Sequence, residues 1–367
     1  MQENKPQKEE PVKSSLTDEK SVAKKNYFFV VIILVILLIW FFTQNDIDDA
    51  IQAVRDLNYY YFFLAILSIF LFMFFNSVSI DILLKKNNQR LSFFDSILIG
   101  NITHFYNGIT PFAAGGQAFQ MYYYRKFGVP SSVGTGALIM NFIIYQFCIV
   151  VFSLISIIFY FSTVSQNVSN FYIFFIIGFA LNALILTILF LLAYSKIARN
   201  VLMKIVFFFA KIEFIGRVVH KRKDRLETYL TDFQRYSKLL IKDFKLMIVT
   251  VLTQLFSLAC YFVIPFLIFR ALGVSLSASD LFFTMAMTSF AVVFMAFIPT
   301  PGAAGGAEFA FRQLFTIVIV SSAPVILAGT LLWRVVSYYI LMLLSLLSLF
   351  ILRRRYQNAN RNLYRRL

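Results

Sequence analysis

Ile298-Pro-Thr-Pro-Gly-Ala-Ala-Gly-Gly-Ala-Glu-Phe-Ala-Phe311 places two prolines, three glycines and a glutamate inside strongly apolar sequence. A lipid-facing helix has no use for such residues. A near copy lies 190 residues earlier: Thr110-Pro-Phe-Ala-Ala-Gly-Gly116 stands against Thr300-Pro-Gly-Ala-Ala-Gly-Gly306. The correspondence extends outward. Leu91-Ser92-x-x-Asp95 matches Leu276-Ser277-x-x-Asp280, and Gly136-Ala-Leu-Ile-Met-Asn141 matches Gly329-Thr-Leu-Leu-Trp-Arg334, with the offset drifting between 185 and 193. An internal repeat whose best-matched part is a broken helix in apolar surroundings is how transporter folds read from sequence.

Composition agrees. Hydrophobic residues make up 59% of the chain and aromatics 18%, against 14% charged, which is far from the soluble average and places the protein in a membrane. The net charge of +16 sits in loops beside apolar spans, where the positive-inside rule accounts for it. Nucleic acid is therefore not expected as a partner. Cys148 and Cys260 fall within apolar spans, far apart, and read as buried thiols with no disulfide or metal spacing. Neither Gly-Gly pair is followed by the Lys-Ser/Thr of a nucleotide loop, so no cofactor is expected.

Taken in order, residues 1–26 read as a disordered cytoplasmic tail. Residues 27–58 hold a first span, Tyr27 to Phe42, and an acidic outer loop. The first repeat, 59–161, runs from a span at Tyr59 to Leu84 through a broken segment, 91–124, to a span at Ser131 to Phe161. Lys85-Lys86 and Arg125-Lys126 flank the broken segment on both sides, and its legs hold roughly 13 to 16 residues, short of the ~20 a full span needs. It therefore reads as a re-entrant hairpin, although two short full spans would also return to the same side. Residues 162–245 hold a span at Phe171 to Tyr194 and then a segment with thirteen Lys/Arg against five Asp/Glu. The first part of that segment, Asn200 to Ile215, is read as lying flat on the inner leaflet, and the remainder as a soluble helical linker. The second repeat, 246–352, holds a span at Leu246 to Phe269, a hairpin at 281–320 and a last span at Ala323 to Leu352. A basic tail, 353–367, follows. The expected fold is an all-α integral membrane protein with inverted-topology repeats, about six full spans, two re-entrant hairpins and both termini cytoplasmic. The setting is the cell membrane.

Broken backbone is costly in hydrocarbon and persists only where protein or a wet cavity covers it. Each Gly-Gly opens a new half-helix whose N-terminal amides point at the break and suit an anionic group such as a phosphate. Tight helix packing by small residues is the alternative for one isolated Gly-Gly. The candidate binding residues are Asn107, Thr110, Gly115, Gly116, Gln117, Gln120 and Asn141 in the first repeat, and Thr300, Gly305, Gly306, Glu308, Arg312 and Arg334 in the second. Glu308 and Arg312, four apart, can neutralise each other. Arg334 falls a turn or so into the last span, and a structural ion pair locking hairpin to span is the alternative to a pathway role. His104 lines the first hairpin beside Asn107 or is simply hydrogen-bonded. Asp95 and Asp280 open the hairpins and read as helix N-caps.

Asn107-x-x-Thr-Pro-x-Ala-Ala-Gly-Gly-Gln117, Pro299-Thr-Pro-Gly-Ala-Ala-Gly-Gly-Ala-Glu308 and Arg334 together resemble the flippase-like transmembrane family of the lysylphosphatidylglycerol synthases, the membrane half of the multiple peptide resistance factor. The resemblance covers about residues 59 to 352. It implies an inverted-repeat membrane protein that moves an aminoacylated or glycosylated lipid between leaflets. Many members have an acidic residue at the position of Gln117 and arginines at those of Gln120 and Asn141, so the formal charge of this site comes from the second repeat. The resemblance also implies a stand-alone member without the soluble synthase domain, hence not itself an enzyme, whose partners are a membrane lipid, a separate lipid-modifying enzyme and a second copy of the chain. The competing functions are a membrane-embedded lipid-modifying transferase and a scaffold for a separate synthase.

Overall fold

The computed structural model describes residues 51–52, 54–86, 91–167, 171–209, 223–296, 298–319 and 323–364. The expected tail and first span, residues 1–42, lie outside them. Among the described residues the chain is helical, with no strand. Long uninterrupted apolar runs give long helices: α1 (Tyr59–Lys85), α4 (Ser131–Asn167) and α5 (Phe171–Tyr194). At 1.5 Å per residue, the 27 residues of α1 reach about 40 Å, enough for a hydrocarbon core of about 30 Å. Asn58 caps α1 by accepting the Tyr60 N–H at 3.1 Å, and Lys85 ends it.

The first broken segment forms α2 (Phe93–Ile109), a 3₁₀ turn (Pro111–Ala113) and α3 (Gly116–Lys126), with legs of 17 and 11 residues. The second forms α10 (Ala278–Met295), a 3₁₀ turn (Pro301–Ala303) and α11 (Gly306–Val318), with legs of 18 and 13. Among the described residues six helical stretches are long and apolar enough to cross a membrane, and five of them match the predicted full spans. The sixth is Ala278–Met295, the first leg of the second broken segment. Leg length therefore sets the first hairpin apart from the spans more sharply than the second. The protein is a multi-pass membrane protein.

Both hairpins start at a Ser-x-x-Asp, and not as expected. Ser92 is the cap of α2, accepting the Asp95 N–H at 3.1 Å, while the Ser277 N–H donates to Asp280 Oδ2 at 2.7 Å before α10. Asp95 and Asp280 are thus not N-caps. They stand three residues further on: Asp280 is the return half of a capping box, while Asp95 accepts the Ser92 hydroxyl at 2.6 Å.

Two spans are interrupted where no break was expected. The run from Leu246 to Phe269 divides into α8 (Phe244–Phe262) and α9 (Ile264–Ala271), with Pro265 in the first turn of α9. The last span divides into α12 (Ala323–Arg334), a π-helical turn (Val335–Ile340) and α13 (Leu341–Tyr364). Arg334 is therefore the last residue of a 12-residue helix, about three turns in rather than one.

Between α5 and α8 lie α6 (Lys196–Phe209) and α7 (Lys223–Ile241). The α7 helix is no free linker. Tyr236 donates to the Leu83 carbonyl of α1 at 2.9 Å and Gln234 to the Leu192 carbonyl of α5 at 2.8 Å. Nearby, Lys86 after α1 pairs with Asp243, the N-cap of α8, and holds its carboxyl below the usual carboxylate range.

The core lies around the second break. Phe311 stacks on Trp333 (centroids 4.4 Å) and on Phe315 (4.1 Å), and Phe269 stacks on Phe315 (5.5 Å), which fastens α11 to α12 and α9. Cys148 and Cys260 are free and buried.

Candidate functional site

The two 3₁₀ turns pack against each other. Each carries two consecutive residues at positive φ, Phe112 and Ala113 in the first (54° and 51°) and Gly302 and Ala303 in the second (60° and 54°). Non-glycine residues in that region cost roughly 1–3 kcal/mol each, so Phe112, Ala113 and Ala303 keep this form only because the surroundings impose it.

The first turn satisfies itself with neutral groups. Thr110 Oγ1 donates to the Tyr106 carbonyl at 2.7 Å and accepts the Gly115 N–H at 3.0 Å, while Asn107 Oδ1 accepts the Gly116 N–H at 2.8 Å. A Cβ on Gly116 would lie 2.2 Å from Thr103 Oγ1 and 2.7 Å from the Thr103 carbonyl, so glycine is what lets α3 begin against α2. Tyr106 and Phe119 stack between the two legs with centroids 3.5 Å apart.

The second turn is satisfied by charge. Glu308, in the first turn of α11, accepts the Gly305 N–H on Oε2 at 2.7 Å and the Arg334 Nε–H on Oε1 at 2.5 Å. Arg334 also donates through Nη2 to the Gly302 carbonyl at 2.9 Å. Glu308 is 2% exposed and Arg334 4%, so the pair is shut off from solvent and neutral as a unit. A carboxylate at the start of a helix is also favoured by the helix dipole. The end of α11 that could have received an anion thus already holds the carboxylate of Glu308, whereas α3 begins against neutral acceptors.

One side chain joins the two breaks. Tyr338, in the π-helical turn, donates to the Gly108 carbonyl of α2 at 2.9 Å. Its ring lies against Gly302, where a Cβ would meet Tyr338 Cε2 at 2.3 Å, and 5.1 Å from the Arg334 guanidinium. Composition hides this residue among many aromatics. The signal that could have found it is its spacing of four from Arg334 on one helix.

The sequence candidates divide accordingly. Asn107, Thr110, Gly115 and Gly116 build the first turn, and Gly305, Gly306, Glu308 and Arg334 the second. Thr300 donates from Oγ1 to the Ala304 carbonyl at 2.9 Å. Gln117 is exposed in the first turn of α3. Arg312 lies one turn beyond Glu308 on α11, partly buried, and the structure gives Glu308 the more distant Arg334 that i, i+4 spacing did not point to. Gln120 turns away from the break and donates to the Gly100 carbonyl at 3.1 Å. Asn141 accepts from Ser79 of α1 at 2.6 Å. His104 packs against Phe72 with centroids 5.3 Å apart, and its buried Nε2 has no hydrogen-bond partner among the described residues.

Pro111 to Ala114 are exposed, as are Pro299, Thr300 and Gly305, so one side of the junction between the turns is open. Among the described residues no group of His, Cys, Asp and Glu could hold a metal ion. What the site offers is a cluster of backbone dipoles, one enclosed ion pair and the first turn of α3, exposed at Gln117 and Ala118. Residues 27–345 match a family model described as the lysylphosphatidylglycerol synthase TM region. No curated protein and no solved structure matches with significance.

Proposed function

The chain belongs to the family of the lysylphosphatidylglycerol synthase TM region, and from that premise we propose that it moves an anionic lipid with an aminoacyl or glycosyl head group between the leaflets of the cell membrane. The observation that carries the reading is the junction of two broken helices, with the Glu308–Arg334 pair enclosed behind it and backbone exposed on its open side. In hydrocarbon such backbone needs water or polar partners, so the open side suits a polar head group. The lipid phosphate goes to the start of α3, where only neutral oxygens compete for the amides. A cationic aminoacyl group, where the lipid carries one, faces Glu308. The two repeats are oppositely oriented, and their rocking exposes the junction to each leaflet in turn.

Proteoliposomes containing a head-group-labelled aminoacyl phospholipid test this, with an impermeant quencher reporting the outer leaflet. Glu308→Gln and Arg334→Ala should reduce lipid movement at least tenfold. The double variant Glu308→Leu/Arg334→Met distinguishes a working site from a lock, because it replaces the pair with apolar contact. Movement lost in a well-folded double variant supports the reading. Movement at the wild-type rate in that variant would leave the pair a structural clamp and sink the reading.

A further inference from the structure

A cavity of about 440 Å³ opens between α3, α4, α5, α6 and α7, within the range of ligand pockets, roughly 300–1,000 Å³. Leu192 of α5, Leu202 of α6, and Leu230 and Phe233 of α7 supply its apolar wall, with Arg125 of α3 and Ser131 of α4 at its polar part. Arg125 is exposed, and among the described residues no carboxylate pairs with it. The α6 helix connects this cavity to the bilayer. Leu202 lines the cavity, while Ile197, Val201, Ile205 and Phe208 of the same helix are exposed at 76%, 48%, 48% and 65%. That spacing is one apolar stripe on a helix that also carries Lys196, Arg199 and Lys204, the pattern of a helix lying in the membrane interface.

We propose that this cavity takes one acyl chain of an anionic phospholipid, with the lipid phosphate seated against Arg125. The two halves of the site ask for different chemistry, an apolar chain and an anion. The leaflet in which α6 lies supplies both in one molecule. A guanidinium forks onto phosphate oxygens in a way an ammonium does not, which suits Arg125 to a phosphodiester. The leucines and Phe233 offer the chain apolar contact. The lining of this cavity includes neither Glu308 nor Arg334.

The full chain, reconstituted in phosphatidylcholine vesicles with a few per cent of phosphatidylglycerol bearing a diazirine near one chain end, provides the test. After illumination, adducts should map to Leu192, Leu230 or Phe233. Leu192→Trp, which narrows the cavity, should reduce them several-fold while adducts on the exposed stripe of α6 persist. Arg125→Gln should lower cavity labelling by the phosphatidylglycerol probe several-fold, Arg125→Lys less, and labelling by a phosphatidylcholine probe, whose choline ammonium offsets the phosphate charge, should start lower and fall less. Circular dichroism and gel filtration of each variant establish folding. Adducts confined to Ile197, Val201 and Phe208, or equal cavity labelling by the two probes in the wild type, would overturn the proposal.

Discussion

Glu308 and Arg334 are the residues whose energetics can be read most directly. Removing either leaves the other charged and buried, which costs about 3–5 kcal/mol, whereas an apolar pair of similar volume is often neutral or better. Thermal unfolding in detergent should therefore show Glu308→Ala and Arg334→Ala strongly destabilised, and Glu308→Leu/Arg334→Met near the wild type. Two glycines fail for opposite reasons. Gly305 has φ +85° and open space where its Cβ would be, so Gly305→Ala meets only backbone strain, about 1–3 kcal/mol. Gly116 has an ordinary φ, but its Cβ site is filled by Thr103 and Asn107. Gly116→Ala should push α3 off α2, and Thr103→Ala should not rescue it fully, because the Thr103 carbonyl at 2.7 Å remains. Unfolding midpoints of the three variants check both statements; complete rescue would show that the carbonyl contact is not what matters.

Elements carry the next layer, and here sequence and structure part company at identifiable places. The two breaks were legible because Pro and Gly-Gly disturb an apolar run; at the helix starts Ser-x-x-Asp marked the place, but the caps are Ser92 and Ser277 rather than the aspartates expected. The π-helical turn was not legible: Val335-Val-Ser-Tyr-Tyr-Ile340 holds neither Gly nor Pro, so no local residue marks it. The partner of Glu308 was hidden for a related reason. Local spacing offers Arg312 four residues on, while Arg334 arrives from another helix. Gln120 and Asn141 looked like site residues by position in the repeat, yet their hydrogen bonds go to helix packing around α1 and α2. Because the π-helical turn aims Tyr338 at Gly108 of one hairpin and Gly302 of the other, Tyr338→Phe should loosen their coupling. Loss of the hydroxyl leaves the buried Gly108 carbonyl without its donor, a cost of about 1–3 kcal/mol. Hydrogen exchange should show faster exchange at both turns; faster exchange at one alone would mean that Tyr338 does not join them.

At the scale of the whole molecule the open matter is how the two halves face the membrane. The base of the first hairpin is held by basic residues of α13. Arg355 donates to Asp95 at 2.6 Å, Arg353 to the Tyr123 hydroxyl at 3.3 Å, and the ammonium of Lys126 sits 5.1 Å from the ring of Tyr356. Among the described residues the base of the second carries no comparable basic set; Arg270 there donates to the Leu276 carbonyl at 3.0 Å and to the Tyr61 hydroxyl at 2.9 Å. Basic residues mark the cytoplasmic side, and the inverted orientation proposed above predicts that the two bases lie on opposite faces. Pro130 and Ser279 are both exposed near the two bases, and the native thiols Cys148 and Cys260 are buried, so the background for labelling is low. With an impermeant maleimide, Pro130→Cys should react only from the cytoplasmic face and Ser279→Cys only from the outer one. Reaction of both from the same face would mean that the hairpins enter in parallel. The junction at Gly302 and Gly108 would then be a packing contact with one entrance, and a site that alternates between leaflets could not be built from it.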